Sequence, residues 1–148
     1  MTGRKSTPKK SPRAAGYSGT PLVQKLGIRE GSRVRPSNAP SHYLDLLGAL
    51  PEGARLSGAF RKDVDVAHHF TTSAKDLAAQ LPRLMKTIRS NGAIWVSWPK
   101  KSARMDTDVT EDVIRDVALP LGLVDVKVCA VDEIWSGLKL VIRKEFRK

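Results

Sequence analysis

The chain has 148 residues, enough for one domain with its own core and no need of a metal or disulfide staple. Hydrophobic residues make up 41% and charged residues 28%, a globular composition, and 26 Lys and Arg against 15 Asp and Glu leave a net charge of +11. A single cysteine excludes an internal disulfide framework. No apolar run approaches the roughly 18 residues that cross a bilayer, and the basic N-terminus lacks the apolar segment of a secretion signal. The expectation is a cytoplasmic protein that does not engage membranes.

Residues 1–16 are expected to form a disordered basic tail. Arg4, Lys5, Lys9, Lys10 and Arg13 stand there among Ser, Thr, Pro, Gly and Ala, with no acid and almost nothing to bury. Residues 17–148 read as a single α/β domain. Thr20 and Pro21 open a short helix to Leu26 that Gly27 ends. A strand at residues 33–38, weakened by Pro36, precedes a helix that runs from a Ser41 cap to Leu50 and buries Tyr43, Leu44 and Leu47. Strands are expected at residues 54–60 and 64–70. Ser73 caps the next helix, where Leu77, Leu81, Leu84, Met85 and Ile88 recur at helical spacing; Pro82 should kink or split it and Asn91-Gly92 should close it.

Residues 93–98 are apolar nearly throughout, as in a central strand covered on both faces. Asp108 and Glu111 form a variant capping box for a helix with Val113, Ile114, Val117 and Ala118 on its apolar face, ended by Pro120 and Gly122. Strands at residues 124–131 and 135–143 are joined by the Asp132-Glu133 turn. The order is helix, then β-α-β-β-α-β-α-β-β. It predicts a three-layer Rossmann-like α/β fold whose sheet is mostly parallel, with a C-terminal antiparallel β-hairpin.

Two resemblances follow. Tyr17-Ser18-Gly19-Thr20-Pro21-Leu22, Lys25-Leu26-Gly27-Ile28, Ser97-Trp98-Pro99-Lys100-Lys101 and Asp132-Glu133-Ile134-Trp135-Ser136-Gly137-Leu138-Lys139-Leu140 resemble an uncharacterised bacterial family of short proteins, known only as a domain of unknown function. That family brings no activity with it. Asn91-Gly92-Ala93-Ile94-Trp95-Val96, Leu121-Gly122-Leu123-Val124-Asp125-Val126 and the terminal hairpin are similar to the fifth, sixth and final strands of class I S-adenosylmethionine-dependent methyltransferases, a fold-level analogy. Those enzymes place a Gly-rich turn after the first strand and a ribose-binding acid after the second. Here the first turn reads Ser37-Asn38-Ala39-Pro40-Ser41, the second strand ends at Phe60-Arg61-Lys62, and one βα unit is missing. No cofactor is therefore expected, and no G-x-G-x-x-G marks a dinucleotide site.

In an open α/β sheet, ligands gather beyond the carboxyl ends of the parallel strands. The topology brings to that rim Asn38 after the first strand, His68 and His69 at the end of the third, and Trp98, Lys100 and Lys101 at the central one. Asp132, Glu133, Trp135 and Ser136 join them from the hairpin turn. Rings beside lysines suit an anionic or planar ligand. The structural reading of the same residues is a surface histidine pair, rings over a sheet edge, a solvated loop and a polar turn. No metal site is expected, since Cys129 lies mid-strand and no H-E-x-x-H is present. Nothing identifies a nucleophile with its base and orienter, and Ser18 and Ser136 have no histidine nearby in sequence.

The resulting reading is a non-catalytic binding module for an anionic small molecule or protein partner. The alternatives are nucleic-acid binding without sequence preference through the basic tail, and a transferase of unrecognised site in which Lys100 and Asp132 are the first residues to mutate.

Overall fold

The computed structural model describes residues 20–147; the expected tail, with Arg4, Lys5, Lys9, Lys10 and Arg13, lies outside the described residues. The elements run in the expected order: α1 Leu22–Leu26, β1 Arg33–Ser37, α2 Tyr43–Leu47, β2 Arg55–Leu56, β3 Val64–Phe70, α3 Ala74–Met85, β4 Ile88–Pro99, α4 Glu111–Ala118, β5 Leu123–Ala130 and β6 Trp135–Ile142. Hydrogen bonding orders the six strands β2-β1-β3-β4-β6-β5. β1 is parallel to β2 and β3, β3 is parallel to β4, and β6 is antiparallel to both β4 and β5. Only β6 is reversed, so the β5–β6 turn falls at the same end of the sheet as the carboxyl ends of the parallel strands.

The period-two alternation of the strands feeds two cores, one on each face. On β4, Ile94, Val96 and Trp98 pack with Leu77, Leu81 and Leu84 of α3 and Ile114 of α4. Trp95 points the other way, toward Leu22 and Leu26 of α1 and Tyr43 and Leu47 of α2. Its indole N–H donates to the Leu26 carbonyl at 3.1 Å, which satisfies the ring's one donor in the interior. Among the described residues no helix is long and apolar enough to cross a membrane.

Several boundaries depart from the sequence expectation. α3 ends at Met85, where the Thr87 hydroxyl donates to the Leu84 carbonyl, and β4 starts at Ile88. Asn91-Gly92 therefore lies inside a strand, at a register slip between the pairs Val64 with Ile88 and Val66 with Ala93. Gly92 is required there, because a Cβ would stand 2.9 Å from the Val64 carbonyl oxygen. Pro82 neither splits α3 nor ends it, since Leu81 and Leu84 on either side are anchored in the core. β2 pairs through only two residues of the expected seven-residue strand, because the chain leaves the sheet edge after Leu56. α2 spans one turn and buries Tyr43 and Leu47, leaving Leu44 66% exposed rather than buried. The cap of α4 is Thr110, which accepts from the Val113 amide. Asp108 instead accepts from the Ala74 amide at 2.7 Å and so closes the N-terminus of α3.

Candidate functional site at the carboxyl ends of the strands

All ten residues nominated for the rim lie at or beside the expected end of the sheet, and strand pairing decides which can meet. Trp98 stands opposite Ser136, and Pro99 opposite Trp135. Trp98 nevertheless packs into the α3–α4 core, whereas Trp135 packs against the α1–α2 core, its ring edge-on to Phe70 at 5.1 Å. The expectation of a single lip shared by both tryptophans is thus corrected: successive positions of a strand face opposite ways, and the rim divides into two half-sites.

The histidine pair is a second correction. His68 and His69 are both buried, not on the surface, because α2 covers one face of β3 and α3 the other. His68 bridges the Tyr43 hydroxyl (2.8 Å at Nδ1) and the Ser97 hydroxyl (2.7 Å at Nε2), and it stacks on Phe70. Burial, with a smaller contribution from His69, pushes its pKa down to about 3, so the ring is neutral. Burial also raises the Tyr43 phenol. His69, on the other face, meets the Ser37 hydroxyl at 2.8 Å through Nδ1 and an Asp76 carboxylate oxygen at 2.8 Å through Nε2. The Thr71 hydroxyl donates to that same oxygen at 2.8 Å. The sequence reading looked for a histidine near Ser18 or Ser136 and missed this set. The pairing of β1 with β3, which puts Ser37 opposite His69, is what assembles it.

Asn38 is exposed, with φ of 55°, a left-handed conformation that Asn tolerates better than most residues. Its side-chain amide donates to the Phe70 carbonyl at 2.9 Å and ties the end of β1 to the end of β3. Asp132 shapes the hairpin turn: one carboxylate oxygen accepts from the backbone amides of Ile134 and Trp135, at 2.8 and 2.7 Å, and the other lies 3.4 Å from His42 Nε2. These bonds give Asp132 a turn-forming role. Glu133 is exposed beside it.

Beyond β4, on the α3–α4 side, lies a groove of roughly 480 Å3. It is lined by Trp98, Pro99, Lys100, Lys101, Met105, Thr107, Val109, Thr110 and Glu111. The Lys100 amide donates to the Ile134 carbonyl at 2.7 Å, which fixes the start of the loop against the hairpin. One 3-10 turn at Lys101–Ala103 follows, closed by Arg104 with φ of 54°. Thr107 then donates its hydroxyl to the Thr72 carbonyl at 2.8 Å and anchors the far wall. Among the described residues no group of three or more His, Cys, Asp or Glu could hold a metal ion.

A family of proteins of unknown function, DUF3052, matches residues 59–144. The chain belongs to this family. No curated protein matches this DUF3052 protein in sequence. Among solved structures, it is similar to a SAM dependent methyltransferase from Aquifex aeolicus, with 12% identity, a TM-score of 0.57, and coverage of 82% of this chain and 88% of that one. A ribosomal protein L11 methylase from Lactobacillus delbrueckii subsp. bulgaricus matches at 12% identity and a TM-score of 0.54, over 82% of this chain and 75% of that one. A fibrillarin pre-rRNA processing protein from Methanococcus jannaschii matches at 13% identity and a TM-score of 0.53, over 97% and 87%. These likenesses establish a class I methyltransferase-like Rossmann fold and carry no activity with them.

The residues present do not fit S-adenosylmethionine as such enzymes hold it. The turn after β1 has no glycine, Pro40 offers no amide hydrogen, and the Asn38 amide is bonded across the β1–β3 switch point to Phe70. β2 ends at Leu56 and is followed by Ser57 and Gly58, with no carboxylate for a ribose.

Proposed function

We propose that this DUF3052 protein is a non-catalytic binding module with respect to its fold relatives' chemistry, and that it takes an anionic ligand or an acidic segment of a protein partner in the groove beyond β4. The carrying observation is the groove itself, where the largely buried Trp98 lines the same space as Lys100, Lys101, Met105 and Thr107, with Glu111 also on its lining. A planar or apolar body can lie on the indole while its negative group meets the lysines. The left-handed Arg104 supports this reading, because such a residue costs about 1–3 kcal/mol and such strain gathers at binding loops. This reading assigns the ligand to Lys100, Lys101 and Trp98, whereas Trp135 and His68 pack toward the other face.

Calorimetric titration with inorganic pyrophosphate, ATP and acetylated acidic peptides tests the proposal. At least one should bind, with affinity reduced about tenfold or more by Lys101→Glu, an exposed site whose change leaves folding intact. Equal affinity in the variant, or no heat with any of these anions, contradicts it.

A second reading, nucleic-acid binding without sequence preference, is supported by the β5–β6 face. Lys127 stands directly opposite Lys139 there. Burial first, then Lys127 and Arg29, lower the Lys139 pKa. Like charges across a strand pair are unfavourable, and a polyphosphate backbone relieves them. Retardation of DNA or RNA at low salt, lost steeply as salt rises and weakened by Lys127→Glu, is the expected result. No retardation at low salt excludes it.

A further inference from the structure

Ser37, His69 and Asp76 come from β1, β3 and α3, and with a neutral imidazole their hydrogen bonds allow one proton arrangement. The Asp76 carboxylate can only accept, and it already accepts from the Thr71 hydroxyl. The Nε2 of His69 must therefore carry the hydrogen that reaches Asp76 at 2.8 Å. Its Nδ1 then presents a lone pair, and the Ser37 hydroxyl at 2.8 Å donates to it. This is a hydroxyl held on a basic nitrogen, with the base oriented by a carboxylate. Relative to a serine-protease triad the ring is turned end for end; either nitrogen can take the proton.

We propose that Ser37 is a nucleophile, with His69 as its base and Asp76 as the positioning residue, and that the site transfers acyl groups from esters or thioesters. The proposal goes beyond anion binding at the β4 groove and does not depend on it. Ser37 is the last residue of β1, half-buried, and is followed by the exposed Asn38. Asn38 spends one amide hydrogen on Phe70, and its other can face a developing oxyanion.

In the step, Ser37 Oγ bonds to the acyl carbon and its proton passes to His69 Nδ1. The bond to the leaving alkoxide or thiolate breaks, and that group departs with the proton from Nδ1. Water then attacks the acyl-serine, gives its proton to Nδ1 and releases the acid; the proton returns to Ser37 Oγ. The net reaction is ester plus water to acid plus alcohol.

The test treats the full chain with a fluorophosphonate and maps the adduct by peptide mass. One phosphonyl group should appear on Ser37 with loss of fluoride and no adduct in Ser37→Ala. The labelling rate should fall at least tenfold in His69→Gln and Asp76→Asn. Because these variants can lose stability, each is compared with its melting temperature. As a second probe, Ser37→Cys should react with iodoacetamide at least tenfold faster than Cys129 in the same molecule. A folded wild type that gains no adduct on Ser37 overturns the proposal, as does a labelling rate indifferent to His69 and Asp76. A purely structural network moves the melting temperature alone.

Discussion

His68 shows how one residue can be placed correctly in the chain and misjudged in space. The alternation of residues 64–70 puts it at the end of β3, but its burial depends on Tyr43, 25 residues away, and on Ser97, 29 away. Local sequence carries neither contact. The consequence is a pH dependence whose sign follows from the depressed pKa of about 3. An unfolded chain protonates this ring near 6.5. Between the two values the unfolded state binds more protons, so the contribution is complete above about pH 6.5 and is lost as pH falls toward 3, at a slope on the order of 1 kcal/mol per pH unit. Melting temperature recorded from pH 7 to pH 4 should decline, and His68→Asn should flatten the decline. An unchanged slope in the variant contradicts the assignment. Gly137 offers a second residue-scale prediction. A Cβ there would stand 3.2 Å from Trp95 Cε3 and 3.2 Å from Val131 Cγ2, and the indole is pinned by its bond to Leu26. Gly137→Ala should cost about 1–3 kcal/mol, read as a lower urea midpoint at unchanged slope.

Elements were legible where one periodicity stood alone. Val64 and Val66 alternate with Asp63 and Asp65, and β3 spans the residues expected. β4 was misjudged at its start because Ile88 follows Leu84 at helical spacing and Asn91-Gly92 is a turn signal that the sheet uses as a bulge. The acid-rich approach to α4 misled similarly, since Asp108 serves α3 across space rather than the helix it precedes. Two caps on α3 can be tested against each other. Ser73 accepts from the Asp76 amide and Asp108 from the Ala74 amide. Removal of either side-chain oxygen, as Ser73→Ala or Asp108→Ala, should lower stability by about 1 kcal/mol. Of the two, only Asp108→Ala should also quicken amide exchange in residues 104–109, because the Asp108 side chain bonds that loop to the α3 N-terminus and the Ser73 side chain does not. Equal exchange in both variants argues against the tie.

At the scale of the molecule, the order of elements fixed which end of the sheet carries the rim, and the direction of β6 brought the hairpin turn to that end. Which face each rim residue would occupy required exact register, and a shift of one residue reverses every side chain. That is why the nominated residues reach one end of the sheet without sharing a single pocket. The account's central claim is that the half-site on the α3–α4 side binds anions. A two-dimensional NMR titration of the labelled protein with pyrophosphate tests it most directly. The backbone signals of Lys101, Met105 and Thr107 should shift in a saturable manner, while those around Trp135 stay in place. Shifts confined to other surfaces, or none at all, contradict the claim.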